Sequence, residues 1–211
     1  MAASEFDDFC RFAFTFLEGQ GTRFLVVGGL AVVAVGEPRT TADADAIVFV
    51  SPAEAESLVR QAAEAGFDVR AEVERERLAT TGTMRFRRGR FQLDLITASL
   101  PFEETAYGRA SVHELFGIRL PFPSPEDLIL LKVLAGRDKD MLDATGVVRR
   151  HGYRLDVAYL EQTLRPICEL AEDTAPWSRL QRVLAAGLGS GRLTGGNGGL
   201  GIGAARADDA R

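Results

Sequence analysis

Val26-Val27-Gly28-Gly29 and, after thirteen intervening residues, Asp43-Ala44-Asp45 are the stretches that decide the fold of this 211-residue chain. The first stretch ends a β-branched run and precedes an apolar, small-residue-rich run. This pattern predicts a strand, a tight turn and a short buried helix. Glycines let backbone amides approach a ligand closely, and the N–H groups at a helix N-terminus attract anions. Gly28 and Gly29 are therefore candidate phosphate-binding residues.

Asp43 and Asp45 begin a second predicted strand. Because side chains alternate along a strand, both carboxylates project to the same side of it. Like charges placed so close repel each other unless a cation neutralises them, and hard divalent cations such as Mg²⁺ or Mn²⁺ bind carboxylate oxygens. A pair of aspartates at the edge of a strand also commonly forms a turn or cap, so the pair alone leaves both interpretations open.

A third carboxylate, Asp94, lies in an otherwise apolar predicted strand. Burying an unpaired charge there is costly, so Asp94 needs a partner. If its strand lies beside that of Asp43 and Asp45, three carboxylates converge. Such a cluster holds the metal ions that polarise a phosphate and activate an attacking hydroxyl group. We then expect Asp94 to hold the ion that activates the nucleophile, and the other two aspartates to bridge both ions.

The periodicity of the remaining chain predicts an α+β fold in which helices flank a mixed β-sheet and a helical half follows. Residues 67–71 are a possible further strand, and 72–78 are ambiguous. We expect a catalytic core at 1–122, a helical subdomain that completes the active-site cleft at 123–186, and a glycine-rich flexible tail at 187–211. The predicted helices are 6–17, 30–35, 52–65, 125–135, 139–151, 156–171 and 176–186, and the predicted strands 23–27, 43–50, 83–87, 90–96 and 118–122.

Composition excludes several classes of protein. The net charge of −5 argues against a surface that grips long stretches of nucleic acid. Cys10 and Cys168 are too far apart in sequence to form a metal motif, so we expect free thiols. The first residues lack a basic segment, and no apolar run reaches the ~18 residues of a membrane span. We therefore expect a cytoplasmic protein without a membrane partner.

The combination of strand, Gly28-Gly29, short helix and Asp43-Ala44-Asp45 resembles the DNA polymerase β-like nucleotidyltransferase superfamily. The resemblance implies a nucleotidyltransferase fold and an enzyme that binds an NTP, ATP among them, with Asp43, Asp45 and Asp94 as metal ligands. Ala44 and Ala46 depart from the pattern, which has larger aliphatic residues there. The alanines affect the packing behind the acids and not the ligands themselves.

Two further motifs resemble the minimal nucleotidyltransferases of the AbiEii-like toxin group. One is the run 36–45, in which Arg39 and Thr40 are candidate nucleotide-binding residues, although an exposed loop arginine is the alternative. The other is the run 125–140. Its Lys132 is the single charge in an apolar helix and must reach solvent or meet an anion. Asp140 on the next helix is a candidate to face Lys132, with a surface salt-bridge network as the alternative.

Three functional hypotheses follow. In the first, the protein transfers NMP from an NTP to RNA such as the 3′ end of tRNA, as a toxin restrained by an antitoxin protein. Arginines and phenylalanines on the predicted hairpin at 84–91 favour RNA contact, although such hairpins are often merely solvated. The second hypothesis is an aminoglycoside-type enzyme with a small-molecule acceptor and with Glu103 or Glu104 as base. In the third, the fold binds nucleotide without turnover.

Overall fold

A four-stranded mixed sheet forms the centre of the computed structural model, which describes residues 4–37 and 40–189. Its strands are β1 (Phe24–Val27), β2 (Ala44–Val48), β3 (Thr83–Arg88) and β4 (Phe91–Thr97). They lie in the order β1-β2-β4-β3. Strand β2 is antiparallel to β1 and parallel to β4, and β3 is an antiparallel edge strand. The predicted mixed sheet is confirmed.

Helices flank this sheet and make up the second half of the described chain. A separate two-stranded hairpin, β5 (Ser111–Leu115) with β6 (Ile118–Phe122), lies between the two halves. No helix in the described ranges is long and apolar enough to cross a membrane. The helices are α1 (Glu5–Gly19), α2 (Gly28–Val35), α3 (Pro52–Glu64), α4 (Ala71–Thr81), α5 (Pro101–Gly108), α6 (Pro125–Ala135), α7 (Asp138–His151), α8 (Val157–Ala171) and α9 (Ala175–Leu188), with a 3₁₀ turn at Gly152–Arg154.

The two faces of the sheet differ in what they bury. Ala44 and Ala46 are fully buried in the main hydrophobic core, together with Leu93 and Leu95 of β4 and the phenylalanines of α1. A smaller apolar cluster, which includes Val27, occupies the opposite face. Since strand side chains alternate, the aspartates of β2 and β4 face away from the main core. The fold thus leaves one face of the sheet available for a site.

Helix starts follow the sequence closely. Ser4 and Ser51 form capping boxes at α1 and α3, and Ser124 caps α6 ahead of Pro125. The predicted last helix extends to Leu188, and the tail predicted beyond it lies outside the described residues from position 190 on. The two cysteines are buried free thiols, as predicted.

Four elements differ from the sequence-based prediction. Residues 71–81 form α4, whereas the sequence left 72–78 ambiguous. The helix has no apolar stripe that would predict it, and its most buried side chain is Glu74. The possible strand at 67–71 is reduced to one bridge between Asp68 and Arg87. Residues that we expected to form a loop instead form α5 and β5.

A buried polar network holds the helical half to the hairpin region. Asp127 is fully buried; its carboxylate accepts hydrogen bonds from Arg109 Nε at 3.0 Å and Tyr159 Oη at 2.5 Å. The Arg109 guanidinium also lies over the Tyr159 ring at 4.0 Å. Burial and the hydrogen bond to Asp127 raise the pKa of Tyr159 to about 12. Asp127 thus joins α6, α8 and the end of α5.

Removing the carboxylate of Asp127 should destabilise the protein strongly. We expect Asp127→Ala to lower the free energy of unfolding by about 2 kcal/mol, because the Tyr159 hydroxyl loses its acceptor and Arg109 keeps only its weaker contacts with Glu126 and Ser124. Urea denaturation followed by the fluorescence of Trp177 measures this. Glu104→Ala, which removes an exposed ion pair with Arg23, is the control and should cost less than about 1 kcal/mol. Equal losses in the two variants would contradict the assigned role of Asp127.

Candidate active site

One row of cross-strand partners crosses all four strands of the sheet. Val27 lies opposite Asp45, Asp45 opposite Asp94, and Asp94 opposite Arg85. With strands about 4.8 Å apart, the row is about 14 Å long from β1 to β3. The parallel pairing of β2 with β4 therefore brings two of the predicted carboxylates side by side, as the sequence led us to expect.

Gly28 lies directly against one of these acids. Its φ of +63° is in the left-handed region, and a Cβ atom built on it would lie 2.0 Å from Oδ2 of Asp45. Gly28 also begins α2, whose N-cap residue Val27 provides no side-chain hydrogen bond. Gly29 is buried behind it. The turn thus needs glycine for two reasons, and it leaves the N–H groups of the first turn of α2 uncapped by any side chain.

The carboxylate of Asp45 is in an unfavourable environment for its charge. Burial raises its pKa above the ordinary value, and repulsion from Asp94 and then Asp43 adds to the effect. The cations Lys132 and Lys139 act in the opposite direction and only partly offset these causes. A cation placed among the three aspartates would remove much of the penalty.

Asp94 has a partner that the sequence prediction missed. Arg85 donates to both of its oxygens, from Nε at 2.6 Å and from Nη2 at 3.0 Å, and Gln92 Nε2 donates at 3.2 Å. The hydrogen bond to Asp94 raises the pKa of Arg85. The buried charge that needed a partner is thus neutralised across the hairpin.

The predicted hairpin turn was wrong by one residue, which hid this pair. We placed Arg88-Gly89 in the turn, whereas the strands end at Arg88 and resume at Phe91, with Gly89 in the first loop position at φ +60°. A two-residue hairpin turn of this kind places glycine first. The shift of the register moves Arg85 opposite Asp94, where the predicted turn had placed Thr83.

Lys132 is nearly buried, at 4% exposure, and meets acids from the next helix. Its Nζ donates to Asp140 at 3.0 Å and to Asp143 at 2.8 Å. Arg137 also donates to Asp140, from Nε at 2.6 Å. Burial alone would raise the pKa of Asp140, but the hydrogen bonds from Arg137 and Lys132 outweigh it and hold the pKa below its ordinary value. The predicted Lys132–Asp140 contact is confirmed as a buried ion pair and not a surface network.

These groups line one cleft of about 330 Å³, which we call the central cleft. Its acidic wall consists of Asp43, Asp45 and Asp94. Its basic wall consists of Lys132, Arg137 and Lys139, and the turn at Gly28 and Gly29 also borders it. Sequence reasoning missed Arg85, Gln92, Arg137 and Lys139 as site residues. The register of the hairpin indicates the first two, whereas only the packing of α7 reveals the others.

Two predicted nucleotide-binding residues lie in the loop between α2 and β2. Arg39 lies outside the described residues. Thr40 is exposed and is not among the described residues that line the central cleft. Helix α7 holds the start of this loop: Arg150 donates to the carbonyl of Gly36, and the His151 ring contacts the Val35 carbonyl at 2.7 Å.

The acidic wall has the donor chemistry that Mg²⁺ or Mn²⁺ requires. All three side chains supply hard oxygen atoms to one cleft, and Asp45 and Asp94 are cross-strand neighbours. Among residues 4–37 and 40–189, no three His, Cys, Asp or Glu side chains already form a cluster tight enough for an ion. The Asp94 carboxylate is turned to Arg85 instead. The residues thus fit a divalent cation once Asp94 shares its oxygens between Arg85 and the metal.

The two glutamates considered as a catalytic base are engaged elsewhere. Glu103 Oε2 accepts hydrogen bonds from the backbone N–H groups of Ser99 and Leu100, both at 2.7 Å, and so caps α5. Glu104 is paired with Arg23 at 2.6 Å and does not line the central cleft. Neither glutamate is placed as a free base.

A mixed sheet, a glycine turn that begins a helix and carboxylates on adjacent strands are the features that the resemblance to nucleotidyltransferases predicts. Residues 15–174 match the model of a family described as "Nucleotidyltransferase of unknown function (DUF6036)". The match covers most of the chain, so the chain belongs to this family, and the predicted superfamily and enzyme class are confirmed. None of the similarities points to the AbiEii-like branch.

Solved structures agree on the fold. The solution structure of the antibiotic-resistance factor ANT(2″)-Ia has a TM-score of 0.52 at 14% identity, covering 79% of this chain and 94% of that one. Its crystal structure with adenylyl-2″-tobramycin also has a TM-score of 0.52 at 14% identity, with 76% and 97% covered. The lincosamide adenylyltransferase LnuA, bound to lincomycin, reaches 0.47 at 13% identity, with 70% and 98% covered, which is too distant to support an argument. No curated protein matches in sequence.

Gly28→Ala should test the close approach of this turn to Asp45. We expect it to lower the free energy of unfolding by at least about 1 kcal/mol more than Gly21→Ala does, because the added methyl group must displace Asp45. Gly21 is a matched control, since its φ is +66° and nothing lies within 4 Å of its added Cβ. Urea denaturation measures the free energy of unfolding of both variants. Equal losses of this free energy would show that the Asp45 side chain moves aside at no cost, and would contradict the prediction.

The raised pKa of Asp45 predicts how its loss affects stability. The folded protein binds the Asp45 proton more tightly than the unfolded chain does. Protonated Asp45 therefore contributes its full stabilisation below the ordinary pKa of 3.8, and this contribution is lost as the pH rises through the pKa of Asp45 in the folded protein. Asp45→Asn should therefore raise the melting temperature at pH 7 by about 2 °C or more. The gain should shrink as the pH approaches 4. A variant less stable than wild type at pH 7 would contradict the assigned repulsion.

Proposed function

We propose that the protein transfers a nucleoside monophosphate from an NTP to a hydroxyl group of an acceptor and releases pyrophosphate. The supporting observation is that one cleft presents three carboxylates on its acidic wall and three cations on its basic wall, beside an uncapped helix N-terminus. A triphosphate with bound metal needs both charges. The cations bind the phosphate oxygens, and the carboxylates bind the metal.

Each side chain then has a task. The backbone N–H groups at Gly28 and Gly29 bind phosphate oxygens of the NTP, aided by the helix dipole. Lys132 supplies a positive charge. Asp140 and Asp143 fix the position of its ammonium group, because both carboxylates accept a hydrogen bond from it. Arg137 and Lys139 are more exposed and can move to the leaving pyrophosphate. Arg39 and Thr40, in the adjacent loop, are proposed as further phosphate contacts.

Asp43, Asp45 and Asp94 are proposed to hold Mg²⁺ or Mn²⁺. The ion, when bound, polarises the α-phosphate and makes the acceptor hydroxyl easier to deprotonate. In the transfer, the hydroxyl oxygen bonds to the α-phosphorus, the bond to the β-phosphate oxygen breaks, and a carboxylate of the acidic wall takes the hydroxyl proton. Arg85 keeps the Asp94 carboxylate oriented during this step. ANT(2″)-Ia is described with an adenylyl product, which favours ATP as the donor.

The acceptor distinguishes two versions of this proposal. RNA such as the 3′ end of tRNA, with a toxin role and an antitoxin partner, rests on the sequence motifs and on the arginines around the hairpin. A small molecule is favoured by the likeness to ANT(2″)-Ia, but that likeness concerns the fold alone. Arg85, Arg87 and Arg88 lie on β3, and their positive charge is unfavourable for a cationic aminoglycoside. We therefore favour the RNA acceptor.

An activity assay tests the reaction directly. Purified protein is incubated with Mg²⁺, each α-³²P-labelled NTP, and total RNA or tobramycin, and label in the acceptor is measured. We expect label on RNA, and a loss of at least about 100-fold in Asp43→Asn and Asp45→Asn, because even outer residues of a metal site contribute 10–100-fold. Chelation of the metal should abolish transfer.

Asp8→Asn provides the matched control, because Asp8 is an exposed aspartate on the first helix that pairs with Arg11 and does not line the central cleft. It should transfer label as fast as wild type. Label on tobramycin and not on RNA would select the small-molecule version. Absence of transfer to both, or equal transfer by Asp45→Asn, would overturn the proposed reaction.

A further inference from the structure

A second, smaller cleft adjoins the central cleft at the free edge of the sheet. It lies between α4 and β3, has a volume of about 190 Å³, and we call it the α4–β3 cleft. Arg85 lines both clefts. Since Arg85 ends the cross-strand row that starts at Val27, the α4–β3 cleft lies at the opposite end of this row from the glycine turn.

Four arginines line the α4–β3 cleft in a protein whose net charge is −5: Arg70, Arg77, Arg85 and Arg87. Two of these guanidinium groups are already engaged. Arg85 binds Asp94, and Arg77 lies near Glu74, with Nε 3.3 Å from Oε2. This contact does not have the geometry of a hydrogen bond, so the buried Nε of Arg77 has no hydrogen-bond partner within the described chain.

The remaining two cations are not paired with another residue. Within residues 4–37 and 40–189, no ion pair or hydrogen bond engages the guanidinium group of Arg70 or of Arg87. Glu74 is buried, and its carboxylate accepts the backbone N–H of Arg85 at 2.7 Å, so it mainly protects the edge of the sheet. Asp68 is the other acid in the lining. Because Asp94 neutralises Arg85 from outside the lining, three arginines face the two acids Asp68 and Glu74, and this cleft remains positive.

We propose that the α4–β3 cleft binds a phosphate group of the acceptor and so places its hydroxyl group beside Asp94. The proposal rests on the proposed function, whose acceptor it specifies as an anionic phosphate ester. Guanidinium groups recognise phosphate oxygens in pairs, and the same charges repel a cationic acceptor. A cleft of about 190 Å³ is below the size that holds a whole drug-sized ligand, but it has room for a phosphate with part of its sugar.

The order of strands separates this subsite from the donor site. The phosphates of the NTP are assigned to the turn after β1 and to the basic wall, whereas the α4–β3 cleft lies beyond β4, outside β3. The acids of β2 and β4 lie between the two. An acceptor held at the β3 edge therefore reaches the α-phosphate from the side of Asp94. Arg85 is a positioning residue here, because it touches both Asp94 and the entering acceptor's path.

The test measures binding without turnover. A 12-nucleotide single-stranded RNA with a 5′ fluorescein and a free 3′-hydroxyl is titrated with the full chain, without NTP, and its anisotropy is followed. Ribose 5-phosphate is used as a competitor, since a small phosphate ester has the same chemistry. We expect Arg70→Gln/Arg87→Gln to weaken RNA binding at least tenfold and to reduce the slope of log K against log salt by about 1.

Arg75→Gln is the matched control, because Arg75 is an exposed arginine of the same helix that lines a different cavity. It should bind RNA within twofold of wild type, and unchanged melting temperatures should show that all variants are folded. If ribose 5-phosphate displaces the RNA at concentrations similar to those at which the RNA itself binds, the subsite is assigned to a small phosphate ester. Competition only at far higher concentration assigns it to a polynucleotide. Equal binding of the RNA by the double variant and wild type would overturn the subsite.

The result is independent of the proposed reaction. If wild type transfers label and the double variant does so with unchanged KM for the acceptor, the reaction stands and the subsite is wrong. If no NTP is used but RNA binding still depends on Arg70 and Arg87, the subsite stands and the proposed reaction is wrong. With both correct, the double variant raises the KM for the acceptor at least tenfold and leaves the KM for the NTP unchanged.

Discussion

The placement of Asp45 beside Asp94 on adjacent parallel strands is the constraint on which the site depends. Burial raises the pKa of Asp45, and repulsion from the neighbouring Asp94 carboxylate raises it further. Cationic side chains approach these two carboxylates from two sides. Arg85 binds Asp94 across the hairpin, Lys132 and Lys139 lower the pKa of Asp45 from the helical half, and the remaining deficit favours a metal ion.

The helical half is therefore part of the site and not an appendage. Lys132 lies on α6 and is buried, so its charge needs the two acids of α7, and this ion-paired cluster joins the two helices. The same packing brings Arg137 and Lys139 to the central cleft. The Asp127 network anchors the start of α6. Stability and function thus rely on the same buried charges, which are costly to leave unpaired.

Much of the fold could be predicted from local patterns, and the failures have physical causes. Ser4, Ser51 and Ser124 mark helix starts because a cap depends only on neighbouring residues. Helix α4 was missed because it packs through Glu74 and not through an apolar stripe. The hairpin turn was displaced by one residue, and a single-residue shift changes every cross-strand partner. For that reason the partner of Asp94 could not be found from the sequence.

The sequence by itself determined the glycine turn, the three aspartates, the lysine in an apolar helix and the class of enzyme they indicate. These features depend on residue type and on the spacing of residues that are close in sequence. Only the tertiary structure decided that Arg85 neutralises Asp94, that Asp140 and Asp143 share Lys132, and that an arginine-lined cleft continues the site past the sheet edge. The physical reason is that the energy of a charge depends on what lies within a few ångströms of it. For these residues, strand register and helix packing set those neighbours, and sequence distance does not.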